Sequence, residues 1–214
     1  MSLLKILAPS AGSRNSRFLI QYNTQMPENP PSTDTPRQWY ALRDLKRANA
    51  KHRAWEVLSQ KGFEVFTPMQ WKLISKKGGG KTRVHVPVIY DLLFVYSDRE
   101  SLDNEIRKIE TLQYRFVKGC GGKPMVVPSD EMQRFIFALK TANTVKYFSP
   151  SEITSSMKGR HIQIIGGALN GYEGLLLSVR GSKVKRLVVE IPNLITAGIE
   201  VDPQYIKVIE NETE

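Results

Sequence analysis

From Lys158 onward the chain alternates short apolar runs with turn residues. "HIQII", "YEGLLLSV", "KRLVVEI", "GIEV" and "QYIKVI" follow one another at steps of roughly ten residues, the rhythm of a small barrel or sandwich. About fifty residues suffice for an SH3-like barrel and hardly for a sandwich. The glycines support this reading. Between Gly166 and Gly181 five of the sixteen residues in "GGALNGYEGLLLSVRG" are glycine, inside a segment otherwise rich in strand formers. Glycine weakens a strand, because it loses the most backbone entropy and packs nothing. Tight corners and close strand crossings give it a use. Gly166-Gly167 should end the first strand, Asn170-Gly171 should turn with φ > 0, and Gly181 should open the next hairpin. Gly174, within a strand, predicts a bend or a close backbone approach.

Upstream the period changes. Residues 1–36, with "MPENPPSTDTP", are proline-rich and polar and predict a disordered tail. "RQWYALR" alternates like a strand. Ala50, Ala54, Val57 and Leu58 recur at helical spacing, and Gly62 stops them. "FEVFTP" is a second strand. "QWKLI" and "RVHVPV" flank "SKKGGGKT" as a long hairpin with a basic tip. "DLLFVY" is continuously apolar, as in a strand buried on both faces. Leu102, Ile106 and Ile109 mark a helix. Another, opened by Asp130 and Glu131, carries Met132, Phe135, Ile136 and Leu139 on one face. The expected fold class is therefore α+β: a mixed α/β sandwich-like domain over 37–140, a linker over 141–157 with local structure around Val145–Phe148, and a small SH3-like β-barrel over 158–210.

Charge narrows the partners. The formal net charge is +10, and from Arg43 to Arg83 eleven Lys/Arg stand against three acids. A localised basic surface attracts polyanions by counterion release; a solvated lysine-rich face is the alternative. Lys76, Lys77, Lys81 and Arg83, at the hairpin, are the best nucleic-acid candidates, because the glycines let the tip follow a flexible strand. No run approaches the roughly 18–20 apolar residues of a membrane span. A secretory signal is not expected of "MSLLKIL". The single cysteine, Cys120, excludes an intramolecular disulfide and points to the cytoplasm.

Catalytic and cofactor readings find little support. "GGGKT" (Gly78–Thr82) lacks the first glycine of a phosphate-binding loop, since Ser75 stands five residues before Gly80. A strand pattern follows it, where that loop must open a helix. His52, His85 and His161 have no metal-ligand spacing, and no nucleophile elbow or spaced carboxylate pair stands out. No enzyme activity, cofactor or metal is expected.

"IQIIGGALNGYEGLLL" resembles the KOW motif of NusG-type transcription elongation factors. Ile162 and Ile164 fit its strand, Gly167 its first glycine, Leu169 its apolar anchor and Gly174 its second glycine; Ala168 stands where the family usually has proline. "QWYALR", a helix, "FEVFTP", a hairpin and "VPVIYDLLFV" resemble the NusG N-terminal domain in order and spacing. The resemblance covers about 37–210. Tyr90, Asp91 and Leu92 occupy the places where the family often has Pro-Gly-Tyr. With "FTPM" and "VPSDEMQRF", this form looks most like the UpxY-type specialised paralogues, which resemble antiterminators of capsular polysaccharide operons.

The resemblance implies a non-catalytic transcription elongation and antitermination factor. Its first domain would dock on the clamp-helix coiled coil of RNA polymerase, near nascent RNA or non-template DNA. Its barrel would contact RNA, a ribosomal protein or a termination factor. Trp39, Tyr40, Phe66, Leu92 and Phe94 are the residues this implies for polymerase docking, with Tyr40 foremost because a tyrosine offers both apolar area and a hydrogen bond. Burial of these residues in the core is the competing reading. A KOW-containing RNA-binding protein of the ribosome-assembly type would share the charge and the barrel, but would not need the apolar pocket.

Overall fold

The strand β1, Gln38–Asp44, is apolar on both faces: Trp39 and Ala41 point one way, Tyr40 and Leu42 the other, and all four are buried. Such a strand belongs in the middle of a sheet with cover on both sides. The computed structural model, which describes residues 36–47, 50–76, 78–148, 152–153, 157–177 and 183–209, places it there. The tail expected over 1–36 lies outside these residues except for Pro36, and so do Lys77 and the hairpin expected at Gly181.

The next elements are α1 (Ala54–Gln60), β2 (Glu64–Phe66), β3 (Met69–Ser75), β4 (Lys81–Pro87), β5 (Leu92–Ser97), α2 (Arg99–Lys108), β6 (Leu112–Tyr114), β7 (Val126–Val127) and α3 (Ser129–Thr141). The first sheet runs β2-β5-β1-β6, and β7 also pairs with β1. β1 and β5 are antiparallel, with Tyr40 opposite Val95 and Leu42 opposite Leu93. Ala54 and Leu58 of α1 and Leu102 of α2 cover the Tyr40 face. Met132 and Phe135 of α3 cover the Trp39 face. Asp98 caps α2 by accepting from the Ser101 N–H at 2.8 Å, and Gly62 ends α1 at φ 85°, a left-handed conformation that favours glycine. Among the described residues, strands β3 and β4 pair only with each other, as a two-stranded hairpin.

The chain continues with β8 (Val145–Phe148), β9 (Lys158–Ile164), β10 (Glu173–Leu177), β11 (Arg186–Ile191), β12 (Ile195–Glu200), a 3-10 turn (Pro203–Tyr205) and β13 (Ile206–Val208). Their order is β13-β9-β10-β11-β12-β8. The last strand returns to pair with β9, as a small barrel requires. The expected small SH3-like barrel is nevertheless corrected: among the described residues the sheet has six strands and does not close. The extra strand, β8, lies within the segment read as a linker. It pairs antiparallel with β12, Phe148 opposite Thr196 and Tyr147 opposite Ala197. A free strand edge exposes a row of unpaired N–H and C=O groups, and β8 satisfies the outer edge of β12.

Gly174 faces Ile162 across β9, and its φ is not in the left-handed region. A Cβ there would stand 2.8 Å from the Val188 carbonyl oxygen and 3.0 Å from Leu187 Cδ1. The glycine permits a close backbone approach, the second of the two roles expected of it. At Gly166, by contrast, φ is 113° and the Tyr205 ring fills the place of a Cβ; its N–H donates to Asn170 Oδ1 at 2.7 Å and closes the turn.

Candidate functional site

The five residues expected to dock a partner do not share a face. Tyr40 lies beneath α1 and α2, edge-on to Tyr114 with ring centroids 5.7 Å apart. Burial, first among the causes, pushes its hydroxyl pKa up. Tyr114 donates its hydroxyl to Asp103 Oδ1 at 2.8 Å and lies under the Arg99 guanidinium at 4.3 Å. Burial and the bond to Asp103 push the Tyr114 hydroxyl up as well. Tyr40 is therefore an interior residue, 4% exposed, and the tyrosine offered as the foremost interface residue presents almost no surface to a partner.

Trp39, Leu92 and Phe94 do come together on the opposite face, with Phe66 packed against them. Phe66 lies 6.3 Å from Phe94 and meets Phe135 of α3 edge-on, also at 6.3 Å. This face too is covered. Beside α3, the cover consists of Ile191, Leu194, Ile195 and Ala197, from β11, β12 and the turn between them. Helix α3 serves both sheets: Met132 and Phe135 pack on the first, and Ala138 packs with Ile162, Leu187 and Ile199 of the second. Phe137 stacks on Tyr172, centroids 5.8 Å apart, and the Tyr172 hydroxyl donates to the Arg134 carbonyl at 3.2 Å. The apolar concavity expected to face solvent is in this structure filled by the chain's own second sheet.

The basic segment divides into structural and uncommitted cations. Arg43 and Arg115 both meet the Asp91 carboxylate, at 3.2 and 2.9 Å. Arg53 is buried and donates to the carbonyls of Tyr90, Lys46 and Arg47, which pins the loop after β1 against the approach to β5. Lys61 pairs with Glu105. On the hairpin the picture differs: Lys72, Lys76, Lys81 and Arg83 form no ion pair among the described residues and stand exposed. The Lys76 N–H donates to the Gly80 carbonyl at 3.0 Å, which closes the tip of the hairpin, where Gly79 and Gly80 adopt φ 89° and 80°.

One residue of this surface was not singled out by sequence reasoning. Trp71 is 61% exposed, 4.8 Å from the His85 ring and 5.5 Å from the Arg83 guanidinium, centroid distances in both cases. The register explains the grouping. Trp71 pairs with His85, Leu73 with Arg83 and Ser75 with Lys81, so alternation places all six on one face. The available signal was the spacing Trp71-Leu73 against Arg83-His85 around a turn, legible once the register is known.

The residues read from the sequence as a KOW-like motif hold a corner. Gly167 turns at φ 65°, Leu169 is buried among Ile162, Ile164 and Val201, and Gly174 allows the close approach to β11.

A family model matches the part of the chain that holds the sheet β2-β5-β1-β6, the β3–β4 hairpin, α1, α2 and the start of α3. Residues 37–136 match the family model described as "Transcription termination factor nusG", a little under half of the chain. No curated protein matches. Among solved structures, the chain is similar to one titled "Domain interaction in Thermotoga maritima NusG", at 15% identity, over 82% of this chain and 98% of that one, with a TM-score of 0.40. Among the described residues no helix is long and apolar enough to cross a membrane, and no cluster of three or more His, Cys, Asp or Glu could hold a metal ion.

Proposed function

We propose that the chain is a cytoplasmic, non-catalytic transcription elongation and antitermination factor that binds RNA polymerase and keeps transcription processive. The observation that carries this reading is the family match over 37–136, which spans the first sheet and the N-terminal part of α3. The polymerase-docking face is the Trp39, Phe66, Leu92 and Phe94 side of that sheet, matched to the apolar and charged tip of the clamp-helix coiled coil. An apolar concavity with a polar rim suits such a convex partner. Docking there requires the second sheet to leave the face, because Ile191, Leu194, Ile195 and Ala197 cover it. Nascent RNA or non-template DNA meets the basic hairpin at Lys76, Lys77, Lys81 and Arg83. The second sheet, released, takes RNA, a ribosomal protein or a termination factor as its partner. The operon served is a long one for polysaccharide biosynthesis, as the UpxY-like residues Tyr90, Asp91 and Leu92 suggest.

The test is capture from cell extract with the tagged full chain, paired with a record of transcription along long operons with and without the gene. Core polymerase subunits in the captured fraction, and loss of distal transcripts without the gene, are expected. Ribosomal particles in place of polymerase would favour the ribosome-assembly reading.

A further inference from the structure

The hairpin β3–β4 leaves an indole ring in solvent. A two-stranded hairpin is marginal by itself, and apolar side chains on such an arm ordinarily turn toward the body of the protein. Here Trp71 and Leu73 are both more than half exposed. The same face holds the Trp71 ring between cationic and aromatic neighbours, Arg83 at 5.5 Å and His85 at 4.8 Å, the latter tilted by 32°. Lys81 follows on the same face, about 13 Å along the strand at the usual rise per residue. From Met69 to Pro87 the sequence has five Lys/Arg and no acid.

We propose that this face is a stacking platform for unpaired bases of a single-stranded nucleic acid, with Trp71 as the ring that receives a base, Arg83 and His85 framing it, and Arg83 and Lys81 holding the adjoining phosphates. This rests on the reading that the chain acts on nucleic acid in the transcription complex, and adds to it the recognition mode. The occupant follows from the chemistry. A ring offers a π-face, which every base can match when it is out of a helix. The cations take phosphates without regard to sequence. In a duplex the base faces are already stacked on one another, so the indole finds no partner there. Neither the ring nor the cations reads a sugar hydroxyl, so DNA and RNA strands of equal sequence bind alike. Neighbouring Arg83 contributes twice, as a phosphate ligand and as a cation against the ring.

The experiment measures fluorescence anisotropy of labelled mixed-sequence 12-nucleotide strands, DNA and RNA, and of the matching DNA duplex, with the full chain over a range of salt. Trp71→Ala should weaken single-strand binding about fivefold or more, since a stacked base is worth about 1–3 kcal/mol, and should leave the salt slope unchanged. Trp71→Phe should retain most of the affinity. The double variant Lys81→Gln with Arg83→Gln should flatten the slope by roughly 1.4, at about 0.7 per phosphate contact on a single strand. Duplex binding should be indifferent to Trp71→Ala. Single-strand affinity unchanged in Trp71→Ala, or an equal loss on the duplex, would overturn the platform. Polymerase capture by Trp71→Ala distinguishes the two readings. Capture lost with strand binding intact makes Trp71 a protein contact and overturns the proposal. Trp71-dependent strand binding by a wild-type chain that captures no polymerase upholds the platform and overturns the polymerase reading.

Discussion

The backbone N–H of Ala54, the first residue of α1, donates to Oδ2 of Asp44, the last residue of β1, at 2.9 Å. The start of a helix leaves N–H groups without partners, and here a strand end ten residues earlier supplies one. The same carboxylate accepts from the Lys46 N–H at 3.0 Å and from the Thr111 hydroxyl at 3.1 Å. Asp44 is almost fully buried, so Asp44→Ala strands three donors. The expected loss is about 2–4 kcal/mol in urea unfolding, from the cost of unsatisfied buried polar groups. Asp44→Asn should lose less, because the remaining carbonyl oxygen keeps part of the set. A fully stable Asp44→Ala protein would contradict this account.

Tyr40 gives a second test. Removing its ring from beneath α1 and α2 should cost about 3–5 kcal/mol, the range of large aromatic truncations in a core. Tyr40→Phe, which keeps the packing against Tyr114, should stay near wild type. Any fall in polymerase capture by Tyr40→Ala should follow its unfolded fraction, measured by circular dichroism on the same sample. A stable Tyr40→Ala chain that loses capture would return Tyr40 to the interface.

Leu194 lies in the turn that covers the Trp39, Leu92 and Phe94 face, outside the hydrogen-bonded strands. Leu194→Glu places a charge against that apolar surface, which is costly unless the turn moves away. Under the proposed function this variant should capture more polymerase than wild type at equal concentration, by severalfold, while far-ultraviolet circular dichroism keeps the same strand content. Capture equal to or below wild type would place the docking surface elsewhere.

The acidic end of the stability curve should report α2. Hydrogen bonds from Lys108 and Lys61, first among the causes, hold the Glu105 carboxyl below the usual range despite its burial. At Asp103 burial pushes upward, but the bonds from Tyr114 and Arg99 outweigh it and the carboxyl also lies low. A carboxylate with a depressed folded pKa contributes stability that is fully present above its unfolded value, about 4, and is lost as pH falls through the folded value. Glu105→Gln should therefore be less stable than wild type at pH 7, with the gap closing below about pH 4. A gap constant from pH 7 to pH 3 would show that Glu105 acts through packing alone.

Much of this architecture is written in local pattern. The two-faced apolarity of "QWYAL" and "LLFV" makes them central strands wherever the rest of the chain goes, because neither face tolerates water. The helical spacing of Met132 and Phe135, and the glycines around the hairpin tip, are equally local. β8 was only partly legible, as local structure around Val145–Phe148 without a type. Four residues between polar breakers have no period to read, and only the open edge of β12 makes them a strand.

What tertiary structure alone decided is which apolar surface meets which. Trp39 and Tyr40 are neighbours in sequence and both candidate interface aromatics, yet alternation sends them into different cores. That Leu194 and Ile195 come to lie over Trp39 and Phe94 depends on a packing partner more than ninety residues away, for which the sequence carries no register. Trp71 shows the converse. Its type suggests a core residue, yet it stands in solvent on a hairpin that pairs with no other strand among the described residues. Hydrophobicity is a property of a residue, whereas exposure is a property of what else the chain can bring to cover it.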